Sequence, residues 1–243
     1  MYPTICKIGP LTVYSYGLML AIAFMSGAFL ASRQAYKINI KPEVIFNLCF
    51  LVFVSGVIGA RFFFVGYHFF YYLHNPIEVI MLQQGGLSWF GGLMLGTVSG
   101  LVYLKKKKLP VAKTMDLLAP YLALAQAIGR IGCFLNGCCF GKIWRFGIYF
   151  PSHEATLIPT QLYSSLALIV IFFILRLLRQ RPHCDGQIFS IYLLLYCAKR
   201  FLMEFLRADN PAFIFGLTIF QFFSLAGFTI ALVSLIFIAR ANK

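Results

Sequence analysis

The 243 residues include 21 lysines and arginines against seven acidic side chains, a formal net charge of +14, yet only 12% of the chain is charged and 60% is hydrophobic, with a mean hydropathy of +0.83. Several apolar runs approach or pass the roughly 20 residues that cross a bilayer, which excludes a water-soluble globular domain. A nucleic-acid partner is also excluded as an expectation: the basic residues fall in short clusters between apolar runs, the pattern of membrane topology and of attraction to anionic lipid.

The apolar runs predict seven spans at about 11–32, 44–70, 88–104, 115–131, 160–178, 187–206 and 215–239. In the first run Arg33, Lys37 and Lys41 follow the apolar stretch and only Lys7 precedes it, the reverse of a cleaved signal peptide, so a retained helix with an external N-terminus is expected. That orientation puts Arg33, Lys37, Lys41, then Lys105 to Lys108 with Lys113, then Arg176, Arg179 and Arg181, and finally Arg240 and Lys243 on the cytoplasmic side, as the positive-inside rule requires. The expected fold is an all-α integral membrane protein, one polytopic domain over 1–243 with irregular external loops around a lipid-binding cavity.

Tyr16 and Gly17 open the first span, where a tyrosine fits either an interfacial belt or a site wall. Arg61 follows Gly59 and Ala60 in the second; small residues let helices approach closely, and the arginine either snorkels outward or contacts a ligand. The stretch 71–96, with Pro76 and the pairs Gly85–Gly86 and Gly91–Gly92, reads as irregular external backbone lining a cavity, and 137–161 as a second irregular external stretch.

The fourth span ends in AIGRIGCFLNGCCFGK, residues 127–142. A charge at that depth costs roughly 2.5 to 3.5 kcal/mol on insertion scales, so Arg130 calls for an anionic partner or a wet cavity. Arg200 and Glu204, four apart, share a helix face with Tyr196 one turn earlier; they form either a structural ion pair or a carboxylate that aims a guanidinium at an anionic ligand. Cys133, Cys138 and Cys139 invite metal or thiol chemistry, but no histidine or carboxylate completes a four-ligand set at familiar spacing. Packing as small residues is therefore expected of them, with no metal and no cofactor. Among the histidines, only His153, beside Glu154, lies in an outer loop close in sequence to the Arg130 segment, which makes it a candidate base.

Taken together, Tyr16-Gly17-Leu18-Met19, Gly59-Ala60-Arg61, GGLSWFGGLMLG at 85–96, Gly129-Arg130-Ile131-Gly132 with Phe134 and Asn136-Gly137, Pro159-Thr160-Gln161-Leu162-Tyr163, and Arg200-Phe201 with Glu204-Phe205 and Arg207 resemble the prolipoprotein diacylglyceryl transferase family of bacterial inner membranes. The resemblance covers nearly the whole chain. It implies an enzyme that moves a diacylglyceryl group from phosphatidylglycerol to the lipobox cysteine of a prolipoprotein, forming a thioether and releasing glycerol 1-phosphate. By the same resemblance Arg130 binds the head group, Arg200 and Glu204 belong to the catalytic centre, and Tyr16, Asn136 and Arg61 line the site.

Four positions in three motifs depart from the family pattern. Phe90 stands where the family carries a histidine, Cys133 and Cys138 replace an asparagine and a glutamate, and Ile158 replaces the histidine before Pro159-Thr160-Gln161. Phenylalanine accepts no proton, so two further readings stay open: a related phospholipid-dependent membrane transferase with another acceptor, and a non-enzymatic lipid-binding or lipid-translocating membrane protein.

Overall fold

A computed structural model describes residues 2–8, 11–81 and 85–241; Lys243 lies outside them. The chain is mostly helical and divides into two compact units, one of Met1–Leu30 with Met115–Lys243 and one of Ala31–Thr114. Among the described residues five helices are long and apolar enough to cross a membrane: α1 (Ser15–Arg33), α2 (Pro42–Tyr67), α5 (Val111–Asn136), α6 (Thr160–Leu178) and α8 (Ile219–Ala241). Helices also occupy the other two predicted ranges, α4 (Trp89–Lys106) and α7 (Gln187–Glu204), each of 18 residues. At 1.5 Å per residue these two are about 27 Å long, just short of a roughly 30 Å hydrocarbon core, and α7 carries Lys199, Arg200 and Glu204 as well.

The smaller unit is organised around α2 and α4. Pro42 opens α2 with Glu43 in its first turn, where a fixed φ and a negative charge both favour a helix start, and Lys105 and Lys106 close α4 at its negative end. The two helices meet through glycines. A Cβ on Gly59 would lie 2.5 Å from the Gly91 carbonyl oxygen, and one on Gly91 would lie 2.3 Å from that of Gly59. Gly56 faces Gly92 along the same seam, and Ser55 and Ser99 share a hydrogen bond across it. Gly91 and Gly92 therefore belong to a helix: the irregular stretch expected over 71–96 ends at Ser88. Before it lie the short helix α3 (Phe69–His74) and a 3-10 turn over Pro76–Ile80.

In the larger unit α7 packs on α8 and α6. Its first turn is held from α5: the carboxylate of Asp116 accepts the backbone N–H groups of Gly186 (2.6 Å) and Phe189 (2.8 Å), satisfying donors that a helix start leaves open. Ser165 of α6 donates to the Ala127 carbonyl of α5 at 2.9 Å. Buried Leu168, Phe172, Leu175, Ile188 and Tyr192 fill this unit's interior, whereas α8 keeps Phe223, Ile230 and Phe237 exposed, as a helix facing hydrocarbon does.

Three antiparallel hairpins add strands to the helical class expected from the sequence: β1 (Thr4–Ile8) with β2 (Leu11–Tyr14), β3 (Ile143–Phe150) with β4 (Ala155–Leu157), and β5 (Ala212–Ile214) with β6 (Leu217–Thr218). The second of them organises the stretch 137–161. Its aromatic run IWRFGIYF favours a pleated strand, and Gly147 permits the close approach, since a Cβ there would sit 2.3 Å from the Leu157 carbonyl oxygen.

Candidate active site

α5 runs one turn further than the predicted span, so Arg130, Cys133 and Asn136 are all helical. Gly137, at φ +78, ends it: its N–H bonds the Phe134 carbonyl and the Cys138 N–H bonds that of Cys133, a left-handed helix stop that glycine adopts without steric cost. The chain then turns back through Cys139, at φ +64. Two buried side chains at the start of α6 fix this turn. The Thr160 hydroxyl donates to the Cys139 carbonyl and the Gln161 amide to that of Cys138, both at 2.6 Å.

Around this helix end the expected site residues Tyr16, Arg130 and Asn136 come together. The ring of Tyr16 in α1 packs by Gly132 and lies within electrostatic reach of Arg130 and the three cysteines, while the Asn136 side chain donates to the sulfur of Cys138. Hydrogen bonds from Cys133 and Cys138 hold the Cys139 thiol below the usual thiol range; burial opposes them, and the charges of Arg207 and Arg130 assist. Arg130 itself is half-buried, and among the described residues no carboxylate lies in ion-pair range of it.

The end of α7 supplies the rest. Arg200 pairs with Glu204 at 3.0 Å and lies over the Phe220 ring, 4.8 Å from its centroid. Glu204 is 3% exposed, and its other oxygen accepts from Asn210 (2.5 Å) and Thr218 (3.0 Å). Arg207, one turn on, is 3.9 Å from Glu204 and forms a two-pronged pair with Asp209 at 2.8 and 2.6 Å. Buried Lys199 sits over the Tyr196 ring. Arg130, Lys199, Arg200 and Arg207 are close enough that their charges act on one another, so four cations share a region with two carboxylates, Glu204 and Asp209.

The backbone joins the two halves. Gly141 and Arg207 form an antiparallel bridge, Lys142 N–H bonds the Leu206 carbonyl at 2.9 Å, and Gly141 N–H bonds that of Ile158 at 3.0 Å. Ile158, at the position of a family histidine, thus contributes main chain to this stitching. His153 Nε2 lies 3.2 Å from the Gly137 carbonyl and its ring stacks on Phe140, so in this arrangement it buttresses the end of α5.

Arg61 belongs to the smaller unit, and its guanidinium is engaged by main chain. It donates to the carbonyls of Val79 (2.8 Å), Gly85 (2.7 Å), Gly86 (3.0 Å) and Met81 (3.4 Å), and also to that of Glu78. The rings of Tyr72 and Phe64 flank it. A Cβ on Gly86, at φ +75, would strike both Arg61 and Phe64. Arg61 therefore gathers the loop that leads into α4, and Phe90 stands in the first turn of that helix.

Sequence reasoning does not reach Asn210 or Thr218, because nothing in the local sequence connects either with Glu204. Guanidinium groups gathered in this way, one of them aimed by a buried carboxylate, have the chemistry that suits bidentate contact with an anion.

Comparison with known proteins finds relatives along nearly the whole chain. The family profile described as prolipoprotein diacylglyceryl transferase matches residues 3–237. Two similar proteins are named phosphatidylglycerol–prolipoprotein diacylglyceryl transferase: one from Clostridium tetani, 32% identical over 244 residues that cover 98% of this chain and 97% of that protein, and one from Streptococcus pyogenes serotype M5, 32% identical over 251 residues that cover 99% and 95%. With a profile match over nearly its full length and relatives aligned from end to end, this chain belongs to the prolipoprotein diacylglyceryl transferase family.

Proposed function

We propose that this protein transfers the diacylglyceryl group of phosphatidylglycerol to the lipobox cysteine of prolipoproteins in the bacterial cytoplasmic membrane. A bond forms between the acceptor sulfur and the glycerol carbon, the carbon–oxygen bond to phosphate breaks, and glycerol 1-phosphate leaves with the electron pair; in the net reaction the thiol proton passes to the released phosphate monoester or to water. The substrate supplies the nucleophile, so the enzyme's task is to hold the phosphate and stabilise the charge that gathers on it. Arg130 binds the head group. Arg200, aimed by Glu204, stabilises the leaving phosphate, Tyr16 and Asn136 line the site, and Arg61 acts by holding the carbonyls of Val79, Gly85 and Gly86. The transfer so written needs neither cofactor nor metal.

The observation that carries this reading is Arg130, half-buried beside Lys199, Arg200 and Arg207 with no carboxylate of its own among the described residues. Such a charge is stabilised when an anion arrives from outside the protein. The proposed frame is one polytopic membrane domain of seven spans around a lipid cavity, N-terminus outside and C-terminus cytoplasmic, with α4 and α7 as the two short spans. Purified protein given phosphatidylglycerol vesicles and a lipobox peptide should yield the thioether-linked peptide, read by mass spectrometry, together with glycerol 1-phosphate. Expression should also sustain growth of a strain depleted of its own transferase. Phe90 at the family's histidine position favours a second reading in which another acceptor is used: glycerol phosphate release without peptide modification would select it.

A further inference from the structure

The transferase chemistry leaves Cys133, Cys138 and Cys139 without a task. Their sulfur atoms all lie within 4.8 Å of one another, and none of the three is in a disulfide. A closed-shell metal ion that binds thiolates at about 2.3 Å sets its sulfurs about 3.8–4.0 Å apart in tetrahedral or trigonal geometry. Contraction by less than about an ångström, within the reach of cysteine rotamers, therefore closes this set on an ion.

The frame that presents the sulfurs is built from outside the cluster. Cys133 is fixed in the last turn of α5, while the main chain of Cys138 and Cys139 is gripped by Gln161 and Thr160, 1% and 2% exposed respectively. Three thiolates around a singly or doubly charged ion leave a net negative charge, and Arg130 and Arg207 are the cations that act on Cys139. Binding such an ion releases the thiol protons. The donor set is all sulfur, which selects thiophilic ions over magnesium or calcium. No fourth protein ligand stands at familiar spacing, but trigonal Cu(I) needs none, and Zn(II) completes its shell with water.

We propose that Cys133, Cys138 and Cys139 form a three-thiolate site for a thiophilic ion, Cu(I) or Zn(II), at the C-terminal end of α5. The site is separate in chemistry from lipid transfer, and its test uses neither phospholipid nor peptide. Full-length, reduced, metal-free protein in detergent is titrated anaerobically with Zn(II), and separately with Cu(I), against a chromophoric chelator. One ion per chain is expected, with three sulfur neighbours at about 2.3 Å by X-ray absorption. Bound metal should shield Cys133, Cys138 and Cys139 from alkylation while exposed Cys6 still reacts, a readout in the unmodified chain that no folding defect can imitate. Cys138→Ser and Cys139→Ser should each lower affinity by about 100-fold or more, above the range typical of losing an outer-shell partner. Equal binding by the triple serine variant, or absence of alkylation protection in the unmodified chain with both ions, would overturn the proposal.

Discussion

Glu204 meets Arg200 one helical turn back along α7 at 3.0 Å, and the same carboxylate takes hydrogen bonds from Asn210 and Thr218 beyond the helix end. One buried anion thus fixes the direction of a guanidinium and the course of the chain into β5–β6. Glu204→Ala should leave Arg200 uncompensated, at a cost of about 3–5 kcal/mol, and lower the melting temperature in detergent. Glu204→Gln keeps an acceptor for Asn210 and Thr218. It should melt closer to the unmodified protein while losing most of its turnover, and comparable activity in the glutamine variant would remove the carboxylate's charge from the mechanism.

Arg130 is the converse case, a charge repelled by its protein neighbours. Arg130→Ala should reduce turnover of phosphatidylglycerol by about 10²–10³ or more, the scale on which a preorganised donor contributes. Its melting temperature should stay level or rise, because a mutual repulsion with Lys199 and Arg200 is removed. Arg130→Lys should recover only part of the rate, since an ammonium lacks the two-pronged geometry. A large drop in stability on Arg130→Ala would reassign the residue to a structural role.

Arg61→Lys tests the loop. An ammonium has three donors and cannot span the carbonyls of Val79, Gly85 and Gly86 at once. Limited proteolysis between Gly85 and Ser88 should accelerate several-fold in this variant, with activity falling as a consequence. Unchanged cleavage alongside lost activity would instead point to direct substrate contact by Arg61.

The helix seam makes a graded prediction. A methyl added at Gly91 would lie 2.3 Å from the Gly59 carbonyl oxygen, at Gly92 3.1 Å from that of Gly56, and at Gly96 3.4 Å from that of Val52. Melting temperatures of the alanine variants should therefore fall most for Gly91→Ala, less for Gly92→Ala and least for Gly96→Ala, with about 1–3 kcal/mol lost at the tightest point.

Lipid demands long unbroken apolar segments, which is why the range predicted at 160–178 coincides with α6 (Thr160–Leu178) and why Arg200 and Glu204 could be paired from their spacing alone. Glycine is the less readable letter. Gly91–Gly92 looked like loop but forms a helix contact, because the sequence shows small size without showing what presses against it. Arg61 gave no sign of its carbonyl partners, which a 3-10 turn and two left-handed glycines bring back from later in the chain. The three cysteines met for a similar reason: Gly137 reverses the chain at the end of α5, and a spacing that suggests no familiar ligand set becomes a compact triangle.

The bridge between Gly141 and Arg207 has a mechanical meaning. The main chain of Arg207 is laced to the segment that follows the cysteine turn, which ties the end of α7 to the end of α5. That lacing is made of backbone groups alone, so no side-chain substitution on either strand removes it.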